Sequence, residues 1–150
     1  MMITAEQIKR IREKTGYSII ECKNALEETD GNEEKALKIL EKKGEEKADK
    51  KSERATKQGL VEAYVHTNGK IGVILEINCE TDFVARNEKF KELAHDISMH
   101  IAAMNTQDSE ELLSQPFIKD ESKTIKDLIT DAVAKLGENI KIGKFFRLEI

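Results

Sequence analysis

Tryptophan is absent from this 150-residue chain, proline occurs once, cysteine twice and histidine three times, and aromatic side chains make up 5% of the total. Two cysteines, Cys22 and Cys79, cannot build the disulfide framework of a small secreted domain, which points to a reducing, cytoplasmic setting. No apolar run approaches the ~20 residues that a helix needs to cross a bilayer, so no membrane is expected. The opening Met1-Met2-Ile3-Thr4-Ala5-Glu6 has neither a basic segment followed by an apolar one nor an Arg/Ser-rich transit pattern. Unopposed positive charge is missing too. Charged residues reach 36%, yet the net charge is −4. Binding to a phosphate backbone needs clustered Lys and Arg, so nucleic acid is excluded as the main partner.

Catalytic groupings are equally scarce. Cys22 falls on the inner stripe of a helix, where a small buried thiol is the ordinary reading, and Cys79 ends a strand. His95 and His100 stand five apart on one helix and point away from each other, so they cannot share a metal. Acidic residues are plentiful as solvated faces, not as pairs framed by apolar groups. No G-x-x-x-x-G-K-[ST] loop is present. The reading is a protein without covalent chemistry, metal or cofactor. A thiol enzyme fails because no histidine is placed near either cysteine.

What is present divides into two patterns. Residues 1–44 read as a three-helix unit. Thr4 with Gln7, and Ser18 with Glu21, have the spacing of capping boxes. Gly16 supplies a left-handed helix end, and Asp30-Gly31-Asn32 separates the second helix from a third that runs to Gly44. Ile8, Ile11, Cys22, Ala25, Leu26, Ala36, Leu37 and Leu40 recur at helical spacing as a small shared core. Ile20 shares its stripe with Lys23, Asn24 and Glu27, so Ile19 and Ile20 face solvent near Lys9 and Arg12. A stray exposed isoleucine is common, but an adjacent pair flanked by bases is also a candidate docking patch.

Residues 45–58 read as a charged linker, either a solvated helix or a mobile segment, continuing a charge-rich run that begins near residue 41. Beyond it, residues 59–150 form an α+β core, a small antiparallel sheet covered by helices. Strands are expected over 59–66 and 70–79. Pairing through a three-residue loop would match Val61 with Leu75, Ala63 with Val73 and Val65 with Ile71, and so gather the aliphatic residues on one face. That register is preferred over a two-residue Asn-Gly turn, which would pair Glu62 with Leu75. A helix follows over 88–104 with Phe90, Leu93, Ala94, Ile97 and Ile101 inward. Residues 108–122 read as irregular, 124–136 as a helix closed by Gly137, and 140–150 as a final strand.

The most informative stretch is Thr81-Asp82-Phe83-Val84-Ala85-Arg86-Asn87, which leaves the apolar strand ending at Cys79. Connections run over the surface, and an aromatic between an acid and a base is poorly placed to join a core. On the residues alone, Phe83 is either a core plug folded back or an anchor for a partner's pocket, and both readings stand.

Two segments resemble the elongation factor Ts family. One is Ile11-Arg12-Glu13-Lys14-Thr15-Gly16, continuing through Ile19-Ile20-Glu21-Cys22-Lys23-Asn24-Ala25-Leu26. The other is Asn78-Cys79-Glu80-Thr81-Asp82-Phe83-Val84-Ala85-Arg86, which is long and specific. Gly137-Glu138-Asn139-Ile140 also resembles that family, and the similarity runs the length of the chain in family order. The resemblance implies a ubiquitin-associated-like N-terminal domain and a guanine nucleotide exchange factor for elongation factor Tu in translation elongation, binding its GDP-bound and nucleotide-free forms. It implies that Lys9, Arg12, Ile19 and Ile20 touch the partner's nucleotide-binding domain. It further implies that Thr81, Asp82, Phe83 and Val84 contact the partner, with Asp82 and Phe83 disturbing its magnesium site. Longer members carry a second core subdomain and an extended hairpin; this chain resembles a short form, and a homodimer is expected to supply the missing half. The rival reading is a passive adaptor, which needs the Ile19-Ile20 patch but not Asp82-Phe83.

Overall fold

The structure, a computed structural model, describes residues 2–150. The chain divides into two compact units, one reaching Asp49 and the other running from Lys50 to Ile150.

The first unit is helical. Helix α1 (Ala5–Thr15) starts at a capping box made by Thr4 and Gln7 and ends at Gly16, whose φ of 74° is a left-handed conformation that glycine adopts without strain. Helix α2 (Ile19–Glu28) starts at a second capping box, Ser18 with Glu21. Asn32 caps α3 (Glu33–Lys51) by accepting from the Lys35 amide. Ile11, Tyr17, Cys22, Ala25, Leu26, Ala36 and Leu40 form the core, while Ile8 and Leu37 lie only partly inside it.

Helix α3 does not stop at Gly44. It continues for seven more residues, so residues 45–51 of the expected linker are helical and only 52–57 are irregular. Gly44 is buried, and Lys47 beyond it pairs with Glu21 and lies 5.4 Å over the Tyr17 ring. These contacts offset the weak helix propensity of one glycine, about 1 kcal/mol relative to alanine.

The second unit is α+β. Strands β1 (Gln58–Val65), β2 (Ile71–Cys79) and β5 (Lys141–Glu149) form an antiparallel sheet in the order β1-β2-β5. A four-residue helix α4 (Asp82–Ala85) and a long α5 (Glu88–Met104) follow β2. The expected inner stripe of α5, Phe90, Leu93, Ala94, Ile97 and Ile101, is buried against β1 and β2. Residues 108–122 are more regular than their sequence suggests. They hold α6 (Ser109–Ser114) and a short hairpin of β3 (Pro116–Phe117) with β4 (Asp120–Thr124). Helix α7 (Ile125–Leu136) is capped by Thr124 and closed by Gly137. The Arg147 guanidinium, from β5, donates to the Ala102 carbonyl and to Asn105 Oδ1 and so satisfies the end of α5.

The register of the first hairpin differs from the expected one. Glu62 pairs with Leu75, Tyr64 with Val73 and Ala63 with Ile74. The connection is neither a two-residue nor a three-residue loop but a four-residue one, residues 67–70: the Gly69 amide donates to the His66 carbonyl, Gly69 has φ 72°, and the His66 amide donates to the Ile71 carbonyl. Glu62 and Tyr64 therefore point toward α5, where they find polar company. Glu62 lies 4.0 Å from His95, and the Tyr64 ring meets His95 edge-on at 5.8 Å. Val61, Ala63 and Val65 go to the opposite face of the sheet together with Ile74, Phe146 and Leu148. The aliphatic residues therefore do not share one face as expected: Val61, Ala63 and Val65 of β1 go outward, while Val73, Leu75 and Ile77 of β2 are buried on the inner face.

Candidate partner-binding surfaces

Strand β2 delivers its last buried residue, Cys79, and then turns sharply into α4. The Thr81 side chain accepts from the Val84 amide as N-cap. Val84 and Ala85 roll inward and are buried, which leaves Asp82 and Phe83 on the outside of the single turn. Phe83 is 82% exposed, so it is no core plug. Val84, also expected to meet a partner, is 9% exposed, with most of its side chain in the core. Asp82 pairs with Arg86 at 2.9 Å, one turn on, with both groups in solvent.

A second segment grips this turn from 57 residues away. One Glu138 oxygen, Oε1, accepts from the Glu80 and Thr81 amides at 3.1 and 2.9 Å, while Oε2 accepts from the Thr81 hydroxyl at 2.6 Å. In the other direction the Asn139 amide donates to Glu80 Oε2 at 2.6 Å. Asn139 is itself buried and donates its side-chain amide to the Ser52 and Arg54 carbonyls. Nothing in the linear spacing pointed to Glu138 or Asn139 as neighbours of the turn; their only signal was their place in a motif resembling the family.

The thiols are held inert. Burial, and next the Glu138 carboxylate, pushes the Cys79 thiol up to about 11, and it donates to the Thr81 carbonyl at 3.2 Å. Burial likewise raises the Cys22 thiol, which donates to the Tyr17 carbonyl. A protonated buried thiol is a poor nucleophile near neutral pH. Among the described residues no group of three or more His, Cys, Asp or Glu could hold a metal, and no helix is long and apolar enough to cross a membrane.

In the helical unit, Ile19 and Ile20 open α2 and are exposed, Ile20 at 71%. Lys9 and Arg12 lie on the exposed side of α1, with Lys9 3.9 Å from Glu13. Lys9, Arg12, Ile19 and Ile20 are thus exposed on the helical unit, and Thr81, Asp82 and Phe83 on the α+β unit.

A sequence model described as "Elongation factor TS" matches residues 80–150. The chain is 44% identical to the elongation factor Ts of Fervidobacterium nodosum, with 100% of this chain and 99% of the relative covered. It is 42% identical to that of Oleidesulfovibrio alaskensis (99% and 98% covered) and 41% identical to that of Thermotoga neapolitana (100% and 98%). The first of these alignments spans 195 positions against the 150 residues of this chain, so 45 positions or more of that relative have no counterpart here. Similarity at this level over the whole chain shows that it belongs to the elongation factor Ts family.

Proposed function

We propose that this protein is the guanine nucleotide exchange factor of elongation factor Tu in translation elongation, working in the cytoplasm by binding alone and without covalent chemistry. The observation that carries the reading is the 82% exposure of Phe83 on a turn whose neighbours Val84 and Ala85 are buried. A large apolar ring held in water by an otherwise anchored helix is the form of an interface anchor. Phe83 enters an apolar slot of the GDP-bound partner, and Asp82, released from Arg86, opposes the metal-bound diphosphate. The helical unit, ubiquitin-associated-like, contacts the nucleotide-binding domain through Lys9, Arg12, Ile19 and Ile20. A passive adaptor has no use for the Asp82-Phe83 pair.

A second copy of the chain is the proposed cover for the outer face of the sheet. Val61, Val65, Ile74, Phe146 and Leu148 are all exposed there, Phe146 at 69% and Leu148 at 74%. A contiguous apolar face of this kind marks an interaction surface, and a two-fold pair covers both copies at once.

The deciding experiment is release of labelled GDP from purified elongation factor Tu. Acceleration by micromolar amounts of this protein is expected; no acceleration ends the exchange-factor reading.

A further inference from the structure

We propose that Glu138 is a positioning residue: its carboxylate holds the 80–83 turn in the shape that presents Asp82 and Phe83. For what the turn binds, this rests on the exchange-factor reading; the clasp itself does not depend on it.

Helix α4 cannot stabilise itself. It has four residues, and a single helical turn does not hold itself together, because the nucleating turn fixes several dihedrals for one hydrogen bond. The ladder of β2 ends at Cys79, so the Glu80 and Thr81 amides leave the strand and need other partners. Glu138 Oε1 takes both of them. Its second oxygen takes the Thr81 hydroxyl proton, which turns the lone pairs of that hydroxyl toward the Val84 amide it caps. One carboxylate therefore fixes the entry to the turn and orients its cap. Hydrogen bonds to a charged acceptor are about twice as strong as neutral ones.

Glu138 can reach this place because Gly137, at φ 78°, reverses the chain at the end of α7. Asn139 then locks the reversed segment down through Glu80, Ser52 and Arg54. Neither Glu138 oxygen is directed at Phe83, and the ring is not buried by the clasp. The effect of Glu138 on a partner is thus indirect, through the fraction of molecules whose turn is formed before the encounter.

If that fraction falls to about one tenth, apparent affinity falls about tenfold while events in the bound complex are unchanged. The test uses E138Q, which keeps the size of the side chain but offers one oxygen where two are needed. E138D, which keeps the charge but shortens the reach by one methylene, serves where E138Q fails to fold. In the free protein, hydrogen exchange at the Glu80 and Thr81 amides is expected to accelerate at least tenfold, with the Ile77 amide in the strand unchanged. In GDP release from elongation factor Tu, the half-saturating concentration is expected to rise about tenfold and the maximal rate to stay within about twofold.

Unchanged exchange at Thr81 overturns the clasp. Faster exchange with an unchanged half-saturating concentration overturns its positioning role, and a matching loss of protection at Ile77 shows a merely structural one. Should the parent protein fail to release GDP, it is the exchange-factor reading that falls, and the amide measurement decides the clasp by itself.

Discussion

Phe83 and Asp82 sit side by side on one turn, yet their substitutions should have different consequences. A core phenylalanine cut to alanine costs about 3–5 kcal/mol of stability, whereas changes at exposed positions usually stay within about 0.5 kcal/mol. With its ring in solvent, Phe83→Ala should melt like the parent while losing at least about 2 kcal/mol of binding to elongation factor Tu. Asp82→Ala should reduce GDP release more than it reduces binding to the nucleotide-free partner, because only the coupling between the two is lost. Calorimetric melting, titration and release kinetics on both variants check these outcomes together. His100 carries the third prediction at this scale. It is buried, its Nδ1 faces the Ile118 amide, and its Nε2 lies 2.9 Å from Gln115 Oε1. Burial holds it below its ordinary 6.5. The unfolded chain therefore takes up the proton first as pH falls through 6.5, and stability drops from there until the folded-state value is passed. The slope from one such group is at most about 1.4 kcal/mol per pH unit. Denaturation midpoints between pH 7 and 5 should show this loss, and His100→Gln should flatten it.

At the scale of elements, two glycines in the first hairpin give opposite expectations. Gly59 has φ 155°, and a Cβ there would run into the Ile77 carbonyl oxygen across the β1–β2 ladder. Gly59→Ala must separate the strands or strain the backbone, at a cost of about 1–3 kcal/mol. Gly72, one strand over, has nothing closer to its Cβ position than the Tyr64 carbonyl at 3.8 Å. Gly72→Ala should be close to neutral. In a unit of this size about 1 kcal/mol moves the melting midpoint by 4–8 °C, so thermal melts separate the two variants clearly. Equal midpoints would mean that β1 can slide away from β2 without loss. The register itself is an element-scale outcome: the four-residue loop over 67–70 and the pairings of Glu62 and Tyr64 with His95 agree with each other, and Val61, Ala63 and Val65 of β1 follow outward.

For the molecule as a whole, the outer face of the sheet carries the prediction. Phe146→Glu places a charge amid Val61, Ile74 and Leu148 without disturbing the interior, since Phe146 is already exposed. Analytical sedimentation should find the parent at twice 17.0 kDa at micromolar concentration and the variant at 17.0 kDa. A parent that remains at the single-chain mass over a wide concentration range would remove the second copy from the proposal. The variant also tells whether GDP release needs the pair, because its Asp82-Phe83 turn is untouched.

Local signals were enough to read the helices of both units. The capping pairs Thr4/Gln7 and Ser18/Glu21, the terminal Gly16 and Gly137, and the inner stripe of α5 depend on neighbours within one or two turns, and each takes in the structure the place its sequence suggests. Phe83 could be seen as anomalous in sequence, but whether it plugged a core or faced water turned on the burial of Val84 and Ala85 beside it. Three features were decided only by contacts between distant residues. Helix α3 passes Gly44 because Lys47 meets Glu21 and Tyr17. The hairpin took the register that pairs Glu62 with Leu75 because a one-residue change trades the inner face of β1 for the outer, and α5 offered His95 to Glu62 and Tyr64. The clasp of Glu138 on Thr81 joins residues 57 positions apart, and no periodicity or spacing reports a hydrogen bond that exists only once α7 has turned the chain back toward the end of β2.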